Sequence, residues 1–503
     1  MAISFANIPA AGALRTPFYF VEFDGSAAGS AVVVAKPALV VGQGLAAGSV
    51  AEETIKQVFT GSEAKGFWGE GSVMAEMVTA YRENDAFGEL HGISYDDEAG
   101  TKATKTLTFG GTATEDGVIS LYINGQLIET TVSDTDAAAA VATAVDAALT
   151  AASDLPYTNG VASEVVTLTA RHFGTVGNEI DVRANYLDTT GGQKLPAGIT
   201  LAIAVGATGA TDPSLSGLGA LLGDIEYDYI LHPWPIGGGS GQMDEIDSML
   251  LDTGGGRWQF DRRIFGHAFT ALKDTVSNLG TFGNARNGTH HTLFALDSPA
   301  AATYQVTAAA VGQIKPSIDT DPARPLQTLV LNGILGTAPV DRFTQAQRNT
   351  LLFDGLATLV TDRTGAMALE RVTTTYQTDA AGNPDDAFLD LNTLATLTYI
   401  ARSQQAAITG AFPRHKLVAD SSAVGAGQAV ADTDDVKAVL VDDYLRMLRL
   451  GIVENLDGYL SQLTLEIDAG DPNRVNVLDP PDLVNQLRVV ASKIQHRLNY
   501  PTT

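Results

Sequence analysis

The secondary-structure pattern of this chain changes abruptly near residue 96, and that change limits the folds that the sequence can adopt. From there the sequence is rich in Thr, Ala and Gly. Asn124-Gly125 is a strong hairpin signal, and residues 134–152 predict a helix. Six segments have the apolar–polar alternation of half-buried strands: 104–109, 117–123, 126–132, 164–170, 179–184 and 199–204. Residues 96–209 therefore predict a self-contained β-rich domain inserted into another fold.

The sequence on both sides of the insertion has the alternating strands and helices of an α/β fold. The apolar run 38–44 ends in glycines and predicts a buried strand. A helix is expected at 49–59, because Ser49 and Glu52 have the spacing of a capping box. Glycines at 237–241 predict a flexible loop. Further helices are expected at 72–84, 215–222, 298–311 and 344–354, and further strands at 90–94, 227–233, 264–270, 291–297, 357–361 and 369–375.

The last third of the chain is helix-rich. Apolar residues recur at helical spacing over 389–412 and 434–450, which predicts two long amphipathic helices. Residues 463–467 and 474–478 predict a pair of strands. Pro480 and Pro481 then separate this part from the C-terminal segment, so that an α+β domain is expected before it.

Charge and composition exclude several classes of function. The 503 residues carry a net charge of −27, which argues against nucleic acid or an anionic membrane as the main partner. The chain has no Cys, so disulfides, thiolate metal sites and Cys nucleophiles are excluded. No signal-peptide pattern and no apolar run long enough for a membrane span are present, so neither is expected.

The two ends of the chain differ from the acidic body. Residues 1–21 contain Arg15 and no acid, and the last 21 residues contain three basic residues and no acid. Both ends are apolar and β-prone, which is unusual for frayed tails. We expect two arms that reach onto another copy of this chain. The candidate arm residues are Ile3, Phe5, Ile8, Phe18, Phe20, Leu487, Arg488, Val489, Lys493, Ile494, Arg497 and Leu498.

One glycine pattern suggests a nucleotide site, although weakly. Gly42, Gly44 and Gly48 follow a predicted strand and precede a predicted helix, but their spacing is GxGxxxG rather than GxGxxG. Glu63 lies near the distance expected of a ribose-binding acid, yet the residues after it are not strand-like. A plain strand-to-helix turn is the stronger interpretation. We expect no bound cofactor.

Other polar residues allow catalytic or metal-binding interpretations, but the sequence around them does not support these. His267, His290 and His291 suggest a metal cluster, but adjacent residues on a strand point to opposite faces, so polar packing is favoured. Asp224, Glu226 and Asp228 alternate and suggest either a cation site or, more strongly, a solvated acidic edge. A triad of Asp228, His267 and Ser298 has no nucleophile-elbow sequence around the serine. We expect no catalytic residues and no metal ligands.

Several motifs in the same order resemble the contractile tail sheath proteins of Mu-like bacteriophages. Residues 3–9 and 15–24 are similar to the N-terminal arm and first strand of that family. Residues 321–329 and 341–358 resemble its middle domain. Four segments resemble its C-terminal domain: 371–377, 389–394, 412–417 and 471–486. The resemblance covers nearly the whole chain and is weakest within the insertion.

The resemblance implies a fold class and a domain order. The fold class is α/β and α+β multidomain, with a subtilisin-like α/β middle domain whose name describes the fold and not proteolysis. The implied order is an N-terminal arm, a sheath domain in two pieces, an inserted β-rich outer domain, a helix-rich α+β C-terminal domain and a C-terminal arm. The corresponding residues are 1–21, 22–95 with 210–368, 96–209, 369–485 and 486–503.

The resemblance also implies a function. The chain would polymerise with itself as stacked hexameric rings around a tail tube, and its contraction would drive the tube through the host envelope. The tail tube protein, baseplate proteins and tail terminator proteins would be the other partners, with the protein in the virion tail and, during assembly, in the host cytoplasm. The sheath of a headless phage-tail-like particle is an alternative. A nucleotide-binding α/β enzyme is a more distant one.

Overall fold

The computed structural model describes residues 36–235, 241–425 and 427–498. Most of the expected glycine loop at 237–241 lies outside these residues. The same is true of the N-terminal arm candidates Ile3, Phe5, Ile8, Phe18 and Phe20. None of the described helices is long and apolar enough to cross a membrane.

The described residues form twenty strands and twelve α-helices. The strands are β1 (Ala38–Gln43), β2 (Lys56–Gln57), β3 (Leu90–Tyr95), β4 (Lys102–Gly111), β5 (Gly117–Ile123), β6 (Gln126–Val132), β7 (Tyr157–Ala162), β8 (Val165–Phe173), β9 (Val182–Ala184), β10 (Ile199–Val205), β11 (Tyr229–Leu231), β12 (His267–Lys273), β13 (His291–Leu296), β14 (Val330–Leu335), β15 (Ala357–Thr361), β16 (Ala366–Arg371), β17 (Lys416–Leu417), β18 (Val430–Ala431), β19 (Thr464–Ile467) and β20 (Val475–Leu478). The helices are α1 (Gly61–Trp68), α2 (Val73–Arg82), α3 (Ala138–Ala151), α4 (Asp188–Gly191), α5 (Leu218–Leu222), α6 (Gln242–Met249), α7 (Val276–Asn284), α8 (Thr303–Thr320), α9 (Gln345–Phe353), α10 (Leu391–Ala411), α11 (Thr433–Arg449) and α12 (Leu456–Gln462).

The largest sheet has nine strands in the order β14-β16-β15-β13-β12-β11-β1-β3-β2. Its six central strands, from β15 to β3, run parallel, and the strands at the two edges run antiparallel to their neighbours. Buried parallel strands have no solvent face, which explains why β1, β12 and β13 are apolar and buried almost without interruption. Helices α2 and α8 pack on each other and on this sheet. The mixed α/β architecture predicted for this part is confirmed.

Between β3 and β11 the chain forms a separate unit of two antiparallel sheets. Their strand orders are β10-β4-β8-β7 and β6-β5-β9, and α3 packs against both sheets. The unit has its own core, in which Leu107, Val145 and Val166 are fully buried. An antiparallel bridge between Thr101 and Ala210 joins the two chain segments where the unit begins and ends. This closed neck is the geometry expected of an insertion.

The turn between β5 and β6 joins this unit to α2 and α8, the helices that pack on the central sheet. Asn124 and Gly125 have φ angles of 48° and 81°, as the predicted two-residue hairpin requires. Asn124 donates to Oε2 of Glu76 on α2 over 2.9 Å, and Tyr304 and Gln305 on α8 donate to the same oxygen over 2.8 and 3.2 Å. Burial raises the pKa of Glu76 to about 7, although the donors from Tyr304 and Asn124 oppose this. One carboxyl group thus connects three elements.

The C-terminal part consists of α10, α11, α12 and the hairpin β19–β20. The helices expected at 389–412 and 434–450 and the expected strand pair are all present. Asp432 caps α11 by accepting hydrogen bonds from the backbone of Asp434 and Asp435, each over 2.9 Å. The rings of Tyr444 and Tyr459 stack with centroids 3.7 Å apart and fix α12 against α11.

The helix predicted at 49–59 is wrong. The helix begins instead after Thr60, whose hydroxyl accepts from the backbone of Glu63 over 3.1 Å, while the Glu63 carboxylate accepts from the backbone of Phe59 over 2.8 Å. Thr60 is thus the N-cap of the helix, in place of the expected Ser49, and the Glu63 carboxylate binds the backbone one residue before the cap. Residues 56–57 form β2 and pair with β3, so this segment is a strand and cannot be part of the predicted helix.

The helix predicted at 298–311 is shifted toward the C-terminus, to α8. Residues 298–302 are not helical because Pro299 bridges to Thr337 and the backbone of Ala300 donates to Leu335. The helix continues past residue 311 because its buried face continues through Ile314 and Ile318.

Candidate assembly surface

The hairpin β19–β20 forms a sheet of only two strands. Thr464 pairs with Leu478 and Ile467 with Val475, in an antiparallel ladder without a bulge. Within the described part of the chain no third strand pairs with either outer edge. An unpaired edge presents a row of backbone N–H and C=O groups that another strand can complete.

A groove of about 690 Å³ lies beside this hairpin. Val475 and Val477 line it from one face of β20, and Asp479, directly after that strand, lines it as well. The opposite wall is mainly α10, with Ile408 and Phe412. Most of its exposed lining is apolar, which is unusual on so acidic a surface.

Helix α11 also lines this groove, through Val436 and Leu440. Helix α11 packs against β19, and Lys437 on α11 donates to the carbonyl of Leu463 over 3.1 Å. Leu465 of β19 packs into the core of the C-terminal part. A strand added to the edge of β20 would place apolar side chains beside this groove, which β20, α10 and α11 line together. The sequence predicted the hairpin but not the groove, although the alternation of Val475 and Val477 is a signal for it.

The C-terminal segment is docked on the body as far as Arg488. The backbone of Glu454 donates to the carbonyl of Asp482 over 2.8 Å, and the backbone of Val484 donates to the carbonyl of Ile452 over 3.3 Å. Arg488 then enters a slot at the start of α10. It donates to Asp390, Gln327 and Asn392, each over 3.3 to 3.4 Å. Burial lowers the pKa of Arg488, and the Asp390 carboxylate opposes that shift.

Beyond Arg488 every described residue is exposed. The apolar candidates Val489, Ile494 and Leu498 are 81% to 93% exposed, and the side chain of Leu487, just before Arg488, is 71% exposed. Lys493 and Arg497 are exposed as well. This β-prone segment forms no strand within the described residues, since an isolated strand needs a partner edge to hydrogen-bond with. The role of these residues in contacts between subunits stays a prediction.

Comparison with known proteins identifies the family. Three family models match successive parts of the chain: a phage tail sheath protein beta-sandwich domain over 98–200, a phage tail sheath protein central domain over 208–375 and a phage tail sheath C-terminal domain over 383–497. The chain is also 34% identical over 497 residues to the Mu-like prophage FluMu tail sheath protein of Haemophilus influenzae, which covers 98% of this chain and 99% of that protein. The chain belongs to the phage tail sheath protein family. The predicted resemblance to Mu-like sheath proteins is confirmed.

Solved structures of tail sheath proteins are similar to this sheath protein along most of its length. One from Desulfitobacterium hafniense is 14% identical with a TM-score of 0.47, covering 93% of this chain and 97% of its own. One from Listeria innocua is 12% identical with a TM-score of 0.46, covering 90% of this chain and 92% of its own. The sheath protein is a structural component of the phage tail and not an enzyme.

The expected acidic edge is wrong for two of its three residues in the sheath protein. Arg402 on α10 donates to Glu226 and, over 2.7 Å, to Asp228. Only Asp224 is fully exposed, with Arg262 3.5 Å away. Glu226 and Asp228 are thus neither a solvated edge nor a cation site. They bind the C-terminal helix to the central sheet.

The histidines of the sheath protein have separate partners. His267 donates to Thr292 over 2.9 Å, because the Thr292 hydroxyl itself donates to the carbonyl of Thr373. His290 contacts Asp252 over 2.9 Å. His291 lies between Asp247 and His232, at 2.6 and 3.0 Å. Among the described residues, no group of three or more His, Asp or Glu is placed to hold a metal.

The glycine pattern after β1 does not build a phosphate site in the sheath protein. No helix follows Gly48 directly, so the helix N-terminus that binds a phosphate in such sites is missing. The side chain of Gln43 is turned instead to Asp97, over 2.6 Å, and to the carbonyl of Phe173, over 3.1 Å. A Cβ added at Gly48 would lie 2.4 Å from the carbonyl oxygen of Phe67, so close packing accounts for this glycine.

Proposed function

We propose that this sheath protein polymerises as stacked hexameric rings around the tail tube and contracts to drive the tube through the host envelope during genome delivery. Its subunits would be connected through their terminal arms. The observation that carries the proposal is an unpaired β20 edge beside an apolar groove, in a chain whose C-terminal arm is apolar and unpaired after Arg488.

The sequence of the arm suits strand addition at this site. In an extended strand, Val490, Ile494 and Leu498 lie on one face, while Lys493 and Arg497 lie on the other. The apolar face would enter the groove and the basic face would lie toward the acidic surfaces of the polymer. Each backbone hydrogen bond contributes roughly 0.5–1.5 kcal/mol net, so a strand of several residues binds firmly, while its apolar face sets the register.

Strand addition also suits a polymer that changes shape. A short extended segment on either side of a paired strand can absorb rotation of the body while the paired residues stay bound. The docked Arg488 would mark the point about which the body turns relative to its C-terminal arm. The N-terminal arm, with Ile3, Phe5, Ile8, Phe18 and Phe20, would pair with a neighbouring subunit in the same manner.

The family and the fold support the remaining parts of the proposal. The central domain, with its largely parallel sheet between helices, would be of the subtilisin-like type. The tail tube, baseplate and tail terminator proteins would be its other partners, and the protein would occupy the host cytoplasm during assembly and the virion tail afterwards.

Removal of the free arm tests the proposal. A chain that ends at Arg488 keeps its docking contacts, so we expect a soluble protein with unchanged circular dichroism. Electron microscopy should show tubes for the full chain and none for the shortened one. Normal tubes from the shortened chain would overturn the proposed role of the arm.

A pair of matched variants tests the groove specifically. Val490→Ser with Ile494→Ser changes the face that would enter the groove, and Ala491→Ser with Gln495→Ser changes the opposite face. We expect only the first pair to abolish tubes. Equal effects of the two pairs would contradict docking of this face.

A further inference from the structure

The four-stranded sheet of the β-sandwich domain has two unprotected edges. Its strand order is β10-β4-β8-β7, and in the part of the chain that is described β10 and β7 each pair on one side only. Neither strand contains a charged residue or a proline. Edge strands are usually protected by such residues, by bulges or by a covering element.

Both edges are also regular and partly apolar. All seven residues of β10 pair with β4, and all six residues of β7 pair with β8, without a shift in register. Val205 is 71% exposed, Ile203 36% and Val161 37%. A long, regular and uncharged edge is a template for another strand.

The strand directions make the two edges complementary. Every neighbouring pair in this sheet is antiparallel, and the number of strands is even, so β7 and β10 run in opposite directions. A second copy that is shifted or rotated, without being inverted, can therefore place its β7 beside β10 of the first copy. The resulting pair is antiparallel and continues the alternation of the sheet.

We propose that β10 of one subunit pairs with β7 of a neighbouring subunit, so that the β-sandwich domains form a continuous sheet between adjacent copies. This rests on the proposed polymer and names a second contact in it, separate from the arms. The contact is heterologous, because two different edges meet, and heterologous contacts generate rings or helices. Pairing of β10 with β10 would instead need a two-fold axis and would stop at a dimer.

Disulfide trapping tests the contact, because the chain has no Cys of its own. Val161→Cys is combined in turn with Ala202→Cys, Ile203→Cys and Ala204→Cys, which samples the registers that could bring the two edges within disulfide reach. Oxidised tubes are then separated on non-reducing gels. We expect a ladder of covalent multimers from at least one double variant and no multimers from the single variants.

The outcomes distinguish this contact from the proposed polymer as a whole. Tubes that form but give no ladder with any pair would overturn β10–β7 pairing and leave the polymer intact. Dimers from the single Ile203→Cys variant would show the two-fold contact instead, which also overturns it. If the unmodified chain forms no tubes, the proposed function itself fails.

Charged substitutions give a second measurement without cysteines. Ile203→Lys with Val205→Lys places two charges on the β10 edge, and Val118→Lys with Leu127→Lys places two on exposed positions of the other sheet. We expect the first pair to raise the critical concentration for tubes by about tenfold or more, because several backbone bonds are lost. The second pair should change it little. If both pairs raise the critical concentration equally, the added charge itself weakens the polymer, and the β10 edge has no special role.

Discussion

Nη1 of Arg402 lies 2.7 Å from Oδ2 of Asp228, although the two residues are 174 positions apart in the sequence. Arg402 belongs to α10 in the C-terminal part, and Asp228 directly precedes β11 of the central sheet. The guanidinium also stacks over the ring of Phe265, 5.6 Å from its centroid. This contact joins two parts of the sheath protein that match separate family models.

Removing Arg402 should therefore destabilise the body. Arg402→Met leaves the carboxylates of Glu226 and Asp228 without their partner, and breaking a buried ion pair costs about 3–5 kcal/mol. Chemical denaturation should show the loss as a lower midpoint. Arg414→Met is the control, since Arg414 is exposed. If Arg402→Met is as stable as Arg414→Met, the ion pairs of Arg402 do not stabilise the body.

The contact of Glu76 with the β-sandwich domain should make stability depend on pH. The pKa of Glu76 is about 7 in the folded protein and near 4.5 when the group is exposed, so between these values the folded state holds a proton that the unfolded state has released. The free energy of unfolding therefore falls as pH rises from about 4.5 to 7. Above about pH 7 this contribution of Glu76 is fully lost.

The substitution Glu76→Gln isolates this effect, because glutamine does not titrate and still accepts hydrogen bonds. At pH 5 the variant and the parent should be similarly stable, whereas at pH 8 the variant should be more stable by roughly 1–3 kcal/mol. Melting curves of both proteins across that range give the comparison. Glu70→Gln, at an exposed position, should leave the pH dependence unchanged. A constant difference between parent and Glu76→Gln at all pH values would rule out titration of this group.

Local sequence signals predicted the elements whose stability is largely local. The Asn124-Gly125 hairpin, the helix expected at 344–354, and the long amphipathic helices α10 and α11 were all predictable in this way. Helix α7 was not, because it contains Gly280 and Gly283, which are poor helix formers. The structure requires glycine at 283, where a Cβ would lie 2.2 Å from the carbonyl oxygen of Asp354.

The candidate site was predictable only in part, for a related reason. The basic, apolar ends and the β19–β20 hairpin can be recognised from residue patterns alone. The groove, the docking of Arg488 and the partnership of Arg402 with Asp228 depend on residues far apart in the chain. No local pattern encodes such pairs, and the exact boundaries of the domains and arms stay predictions.

Replacing the β-sandwich domain should leave the polymer connected. The domain enters and leaves the body at a single neck, where Thr101 pairs with Ala210, so a short Gly/Ser linker can join the flanking residues. We expect it to face outward, and the arms would still connect the subunits. Electron microscopy of the shortened protein should show narrower, less stable tubes. A folded variant without any tubes would contradict this prediction.

The last prediction concerns salt, and the charge distribution determines its direction. The ends of the chain carry Arg15, Arg488, Lys493 and Arg497 without an acid, so the rest of each subunit is even more acidic than the net charge of −27. Arg488 is already paired with Asp390 of its own body, an aspartate that it shares with Arg371, so it contributes less to attraction between subunits. Repulsion between acidic bodies should therefore exceed attraction of the arms.

Salt should then favour the polymer. The screening length is about 10 Å at 0.1 M salt, so added salt weakens repulsion between whole bodies before it affects contacts at hydrogen-bond distance. Paired strands and apolar side chains do not depend on charge and should persist. Raising monovalent salt from about 0.02 M to about 0.3 M should thus increase the polymerised fraction, measured by sedimentation or light scattering. Steady dissolution of the tubes over that range would show that ion pairs, rather than strand pairing and apolar contact, hold the subunits together.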